Sequence, residues 1–528
     1  MSHSAKNEKK FWAGTLLIVF ISIVLVFLPT VSVFSQTAPK ANNDTSSYNA
    51  KKRQYIDLLG NVFDFVHRNY VDEVDPEILY QGAMKGLMDS LEDPYTTYMD
   101  LSMTRDITDT TSGNFGGVGL QITKAVESTP EKPAYVEVSH PMEDTPGYLA
   151  GIQPQDKIIA INGTDTSTIT MDEVLNLLRG EIGTTVDLVI RRGASMEFPV
   201  TLTRALIEVP TVKYAMIGQT GYLRIIEFTP QTPQRVQDAL DSFQKNKFTN
   251  LIIDLRNNPG GLITSVVEVA DKFIDNGPIV STKSRLTYEN FMYTASPKQT
   301  TMPKNIPIVV LINQGSASAS EILAGALKDN HLAYLVGERT YGKGSVQKPL
   351  ALSATDGIKL TTARYYTPTD TNIDKIGIPP DMEVPFPELT EQEQEAYIKF
   401  MEDEVLTKRV TNPNMSENDI AQLAKELHKT YPINQRLIRR LIRLEADKVR
   451  EPRLYDLDYD IQLNAALEVV QKKDFNKLVK EAKTLKELQQ EAEEENKDLA
   501  TTAQKHAAIP SPLHAGYQGK SHLDRQGF

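Results

Sequence analysis

A serine hydroxyl attacks a peptide bond only where a base takes its proton and hydrogen-bond donors receive the charge that develops on the carbonyl oxygen. Asn313-Gln314-Gly315-Ser316-Ala317-Ser318-Ala319-Ser320-Glu321 lies between a hydrophobic strand-like run, Ile306 to Ile312, and an apolar helical segment, Ile322 to Leu327. The start of a helix carries unpaired N–H groups and the positive end of its dipole, so an alkoxide or oxyanion is stabilised there. The same serines are also good helix caps. A base is offered by Gly342-Lys343-Gly344-Ser345-Val346-Gln347, which follows the strand-like run Ala333 to Val336. Burial lowers the pKa of a lysine, and a neutral amine accepts a hydroxyl proton. Gln347 stands four residues on, where its amide would orient Lys343 without adding a charge that keeps the amine protonated. A third segment, Asp254-Leu255-Arg256-Asn257-Asn258-Pro259-Gly260-Gly261, ends a buried strand in two glycines that permit close backbone approach. It reads either as a tight strand-to-helix turn or as the source of a second oxyanion donor, the N–H of Gly261 beside that of Ala319.

Composition narrows the chemistry. The 528 residues include no cysteine, which excludes a thiol nucleophile, disulfides and thiolate metal sites. The eight histidines are scattered singly and form no ligand-spaced cluster, so no metal site is expected. A net charge of -12 without a basic stripe argues against nucleic acid as a partner.

The elements that would position these residues follow from periodicity. Leu59, Phe63, Val66 and Tyr70 recur at helical spacing, and Asp75-Pro76 supplies an N-cap and first-turn proline for a second helix ending near Leu91. From about Gly116 short strands dominate: 117 to 122, Tyr135 to Val138, and Lys157 to Ile161 before the Asn162-Gly163 turn. Thr170 and Glu173 form a capping-box pattern for Met171 to Leu178, and Val186, Leu188 and Ile190 then alternate as a strand. From Gly221 strands and helices alternate, the signature of an α/β domain. Beyond Pro385 the chain is helical and highly charged, and the polar tail from about 501 is expected to be disordered.

Lys6, Lys9 and Lys10 precede an uncharged stretch from Phe11 to Phe34, the pattern of an export segment. It is either a signal peptide, with a small-residue cleavage site before Gln36, or an uncleaved anchor whose lysine-rich end stays in the cytoplasm. The polar residues after it suit a flexible tether.

The motifs Asp-Leu-Arg-x-Asn-x-Gly-Gly, Gly-Ser-Ala-Ser-Ala-Ser-Glu-Ile and Thr-Tyr-Gly-Lys-Gly-x-Val-Gln, in that order, resemble those of the carboxyl-terminal processing (tail-specific) peptidases. The resemblance spans about residues 55 to 385 and resumes near 458 to 470, where Ile461 to Leu467 is similar to the family's closing helix. It implies that Ser318 is the nucleophile, Lys343 the base and Gln347 the third catalytic residue. It further implies a crotonase-like α/β core, an inserted β-rich PDZ domain, and no need for ATP or a metal. Within that domain Gly117-Val118-Gly119-Leu120 would receive a peptide's terminal carboxylate and extend it along a strand edge. Val174 and Leu178 would wall the groove, and Arg179 would either sense an occupied groove or simply be a solvated C-terminal cation. The sequence departs from the family at Glu92-Asp93-Pro94-Tyr95, at Thr369-Asp370-Thr371 and in the charged stretch 387 to 456; the first two are expected to leave the catalytic set untouched.

The expected organisation is an export segment (1–35), a linker (36–54), an N-terminal helical region (55–107), a PDZ domain (108–206), a catalytic domain (207–386), a helical insertion (387–456), C-terminal helices (457–500) and a tail (501–528). The expected activity is that of an ATP-independent serine endopeptidase of the cell envelope, on its extracytoplasmic side, cutting exported proteins near apolar, free C-termini. Its expected partners are those substrates, the membrane through the N-terminal segment, and a second copy of the chain through the helical regions. A non-catalytic PDZ scaffold is the competing class, set against the presence of Ser318, Lys343, Gln347 and the glycine pair together.

Overall fold

The computed structural model describes residues 44–491, apart from 101–102, 105–106, 108–113, 126–127, 130–132, 143, 194, 209, 354, 388, 413, 448–452 and 473. The expected export segment and tail lie outside the described residues. The chain divides into two compact units at Met84/Lys85.

In the first unit a 26-residue helix, Asp44–Asn69, runs through most of the stretch expected to be a linker. The correction has a physical cause: residues 44–54 carry no apolar period, yet they extend a helix whose later turns hold Leu59, Phe63 and Val66. The next helix, Pro76–Asp89, starts as its sequence dictates, with Asp75 Oδ1 accepting from the Glu77 N–H at 2.9 Å and Pro76 at the first position. Among the described residues no helix is long and apolar enough to cross a membrane.

In the second unit the β-rich module begins and ends in one antiparallel pair, Asn114–Gly117 with Ala205–Glu208. Between them the strands order as Leu120–Thr123, Val136–Pro141, Lys157–Ile161, Thr185–Arg192 and Met196–Thr203, with Leu120–Thr123 at the sheet's edge. The helix Met171–Leu178 carries the capping box formed by Thr170 and Glu173. Its core gathers Val136, Val138, Ile158, Ile161, Val174, Val186, Leu188 and Ile190.

The α/β domain is built on a six-stranded sheet in the order Val212–Ile217, Thr220–Ile225, Asn250–Asp254, Ile308–Ile312, Tyr334–Gly337, Met382–Glu383. The first pair is antiparallel and the rest parallel. Both faces are covered, which is why the strands read as unbroken apolar runs. Leu251, Ile253, Val310 and Ile312 pack on the helices Thr232–Lys245, Ile263–Asp271 and Ala319–Asp329. The alternate residues Ile252, Val309 and Leu311 pack on Leu463, Ala466 and Val470 of the closing helix Ile461–Val470. A second sheet carries Ser345–Ala351 and Thr97–Met99 on the long strand Gly357–Tyr366. Within 387–456 the helices Glu391–Glu402, Val405–Arg409, Glu417–Thr430 and Gln435–Asp447 share a core of Phe400, Ile420, Leu427, Ile438 and Ile442.

Candidate active site

Three parallel strands end side by side at Asp254, Ile312 and Gly337, and the loops that follow carry the three segments singled out in the sequence. The carboxyl ends of parallel strands are where such sheets place their sites.

The loops are welded by short-range polar contacts. Asn257, at φ +58°, donates its N–H to Asn313 Oδ1 at 2.9 Å, and Asn313 Nδ2 returns a bond to Asn257 Oδ1 at 3.0 Å. The Ala317 N–H donates to the Asn258 carbonyl at 3.0 Å. Ser316 Oγ donates to the Leu255 carbonyl at 2.8 Å and Ser320 Oγ to that of Asn258 at 3.0 Å, and both residues are fully buried. Of the three serines Ser318 alone keeps some solvent exposure. Sequence leaves the choice among them to family resemblance; the structure adds that the other two hydroxyls are occupied in holding the turn.

Ser318 sits at the start of Ala319–Asp329 with φ +54° and ψ −113°, a conformation that costs a non-glycine residue about 1–3 kcal/mol and persists only when its surroundings enforce it. The enforcement is visible: its N–H donates to Glu321 Oε2 at 2.9 Å, and its carbonyl accepts from the Ile322 N–H at 2.9 Å and from the Tyr365 hydroxyl at 3.2 Å. Gly260, at φ +112°, lies directly against it, since a Cβ there would come within 2.8 Å of Ser318 Cβ and 3.0 Å of the Ala319 nitrogen. Among the described residues the N–H groups of Gly261 and Ala319 donate to nothing, as two oxyanion donors require.

Glu321, the last residue of the serine motif, has no local signal that gives it a role, yet it is the hub of the site. Its fully buried carboxylate accepts from the Ser318 N–H, from the Lys343 N–H at 2.9 Å, from the Gly342 N–H at 2.8 Å and from the Thr340 hydroxyl at 2.5 Å. Ser318 and Lys343 share one oxygen, Oε2, so their backbone nitrogens stand no farther apart than twice a hydrogen-bond length. The glycines flanking Lys343 let the loop 374–377 pack against it: a Cβ on Gly342 would meet the Gly377 nitrogen at 2.8 Å, and one on Gly344 the Asp374 nitrogen at 2.6 Å. Burial lowers the Lys343 pKa and the nearby Lys359 ammonium lowers it further, outweighing the opposite pull of Glu321 and Asp93.

Two expectations about the neighbours of Lys343 are corrected. The Gln347 amide donates to Ser345 Oγ at 2.9 Å and to Thr361 Oγ1 at 3.3 Å, not to the lysine, because it lies on a strand paired with Gly357–Tyr366. Tyr95, expected to stand clear of the catalytic set, lies with its ring centre 5.0 Å from Lys343 Nζ. The strand Thr97–Met99 pairs with Gly357–Lys359 and brings that upstream segment into the site, a long-range contact without a local sequence signal.

Asp254 and Arg256 form a clamp behind the site. The guanidinium bridges Asp254, at 2.6 and 2.9 Å, to Asp460, at 2.7 and 2.8 Å, and Tyr222 donates to Asp254 at 2.6 Å. Burial pushes the Asp254 carboxyl up, and Arg256 with its hydrogen bonds more than reverses this. Asp460 also caps the closing helix, accepting from the Leu463 N–H.

In the β-rich module a groove of about 380 Å³ runs between the edge strand and the helix. Gly117, Val118, Gly119 and Leu120 line one side as expected, and among the described residues the N–H groups of Val118 and Gly119 donate to nothing. The helical wall is Met171, Leu175 and Leu178. Val174 is not part of it: it is fully buried in the module's core, one position round the helix from the groove face. Arg179 lines the groove's end, its guanidinium 4.8 Å from the Phe115 ring centre.

Comparison with known proteins gives three family matches: Peptidase family S41 over residues 219–384, the Activating protease CtpB N-terminal domain over 26–103, and a PDZ domain over 137–192. A Carboxy-terminal-processing protease of Bartonella bacilliformis is 38% identical over 377 residues, covering 70% of this chain and 83% of that protein. A Carboxyl-terminal-processing protease of Synechocystis sp. is 39% identical, over 57% of this chain and 69% of its own. The Carboxy-terminal processing protease CtpA of Bacillus subtilis is 32% identical, over 70% and 77% respectively.

Proposed function

As the chain belongs to the carboxy-terminal-processing serine proteases of peptidase family S41 and carries a PDZ domain, we propose that it cuts exported proteins near their C-termini without ATP or a metal, using Ser318 and Lys343 as a dyad. The observation that carries this reading is the single Glu321 oxygen that holds the backbones of both residues. Neutral Lys343 takes the Ser318 proton as Oγ bonds to the scissile carbonyl carbon, and the N–H groups of Gly261 and Ala319 receive the oxyanion. Collapse breaks the C–N bond, and the leaving amine takes its proton from Lys343. A water activated by the same amine then hydrolyses the acyl-enzyme. Gln347 supports this arrangement through Ser345 and Thr361, and we read the core, a mostly parallel sheet covered by helices on both faces, as crotonase-like.

The PDZ groove would select substrates. An apolar C-terminal residue fits Met171, Leu175 and Leu178, and its carboxylate fits the N–H groups of the 117–120 loop. Full-length Ser318→Ala protein is expected to bind a peptide with a free apolar C-terminus at least about tenfold tighter than its amidated form, the loss of one or two charge-assisted hydrogen bonds. Equal binding in a calorimetric titration would refute the carboxylate loop. Profiling C-terminal peptides from cells with wild-type or Ser318→Ala protein tests the activity itself: the wild type should generate new termini that the variant lacks.

Lys6, Lys9, Lys10 and the uncharged stretch after them support an extracytoplasmic location, with residues 1–35 as signal or anchor. Residues 1–50 fused to a reporter should carry it out of the cytoplasm, and its retention inside would sink this part of the proposal. Exposed apolar side chains of Asp44–Asn69, among them Ile56, Val62 and Phe65, support association of copies through the helical regions.

A further inference from the structure

A lysine that acts as base must arrive neutral and leave as an ammonium, and these demands conflict. A carboxylate beside the amine would welcome the ammonium but would also keep the resting lysine protonated. Glu321, an acid on the helix side, already accepts four hydrogen bonds from backbone and Thr340. From the strand Gly357–Tyr366 the amine faces Lys359, which repels a proton; from the segment before Thr97–Met99 it faces Asp93 and Tyr95. Asp93 itself accepts from the Thr96 hydroxyl at 2.6 Å and from the Tyr95 N–H at 3.1 Å.

What remains is an aromatic face. We propose that the ring of Tyr95 is a positioning residue for the base, its π-face receiving the ammonium that Lys343 becomes when it takes the Ser318 proton. An arene attracts a cation through its quadrupole yet carries no net charge, so its pull on the resting amine is weaker than a carboxylate's. The ring is held in place. Its hydroxyl lies beside that of Tyr341, which is next to Gly342 and whose N–H donates to the Ser316 carbonyl at 3.0 Å. Thr96 Oγ1 accepts from the Thr361 N–H at 3.1 Å, and Tyr98 donates to Asp356 at 3.1 Å, fixing the segment to the strand that carries Lys359. Asp374 and Glu321 also lie near the Tyr95 hydroxyl and, with burial and Tyr341, keep it protonated.

This inference rests on the Ser318–Lys343 reading, and its test separates the two. The probe is a fluorophosphonate, whose rate of serine labelling is followed against pH in the full-length wild type and in its Tyr95→Phe and Tyr95→Leu variants. Fluoride leaves without a proton, so the rate reports the step in which the base acts. Tyr95→Phe keeps the ring and should label within about threefold of wild type on the same pH limb. Tyr95→Leu keeps an apolar side chain but loses the quadrupole, so the plateau rate should fall about 3- to 30-fold. Its pH limb should also move down by about half to one unit, because the ammonium has lost a stabilising partner. A side chain that only filled space would not move the limb in that direction. An unmoved or upward limb in Tyr95→Leu, or a Tyr95→Phe protein as slow as Tyr95→Leu, would overturn the proposal. If Tyr95→Leu does not fold, the Tyr95→Phe comparison and a Tyr95→Met variant, with the same expected shift, decide it. Labelling that survives Ser318→Ala sinks the dyad instead.

Discussion

Lys343→Ala and Lys343→Arg are each expected to lower the rate of peptide hydrolysis by about 10⁴-fold or more while leaving the fold intact, and Ser318→Ala to do the same. Alanine removes the proposed base. Arginine keeps a cation that holds its proton at any pH the protein tolerates, so it cannot replace a neutral amine. The double variant Ser318→Ala/Lys343→Ala should be little worse than either single one, because the two act as a unit. In the wild type, the lowered Lys343 pKa places the rise of activity with pH below the ordinary lysine range: protonated and inactive at low pH, neutral and active above. Rates with a quenched fluorogenic peptide across pH give this limb directly. A folded Lys343→Arg enzyme working at the wild-type rate would mean another base. His331 is poorly placed for that, its ring facing the Val479 carbonyl at 3.2 Å on the helix Phe475–Glu481.

The second large effect is expected at Glu321. Glu321→Ala leaves four donors facing nothing, two buried and two partly buried, each buried one costing about 1–3 kcal/mol unless water enters. The melting temperature should fall by about ten degrees or more, as for other severe lesions of a buried polar network. Glu321→Gln is the more informative change. It preserves volume and one acceptor oxygen but turns an NH₂ towards N–H groups, so the positive φ of Ser318 and the path of Gly342-Lys343-Gly344 lose their common tether. Activity should drop about 10²-fold or more, a loss of the size produced when catalytic groups shift by an ångström. The loss should fall on kcat rather than KM, since Glu321 does not reach substrate. A Glu321→Gln enzyme with normal kcat and a normal melting curve would show that the shared oxygen is dispensable.

Much of this was legible in the chain. The Thr170/Glu173 box, the Asp75-Pro76 start and the glycines around Lys343 each act within a few residues, and local rules read them correctly. Val174 was misplaced because a helix with apolar residues on several sides does not say which side faces a groove and which a core. The start of Asp44–Asn69 was missed because a solvated helix lacks the period by which helices are recognised. Glu321 and Tyr95 were missed for a different reason: one makes its contacts across a turn into another loop, the other across the whole PDZ insertion, and nothing in a local window announces either.

The pairing of Asn114–Gly117 with Ala205–Glu208 has a consequence for how this architecture tolerates change. Asn114 and Glu208 are direct cross-strand partners, so their Cα atoms stand about 5 Å apart, the separation of neighbours in an antiparallel ladder. To the catalytic core the whole module is therefore a loop whose two ends already meet. A cassette of that kind can lengthen, shrink or be exchanged for another reader domain with little strain on the scaffold, because its ends already meet and each doubling of the enclosed length costs only about 0.6 kcal/mol in closure entropy. Recognition and hydrolysis can diverge separately in such a chain, one by swapping the cassette, the other by editing three loops at the ends of parallel strands.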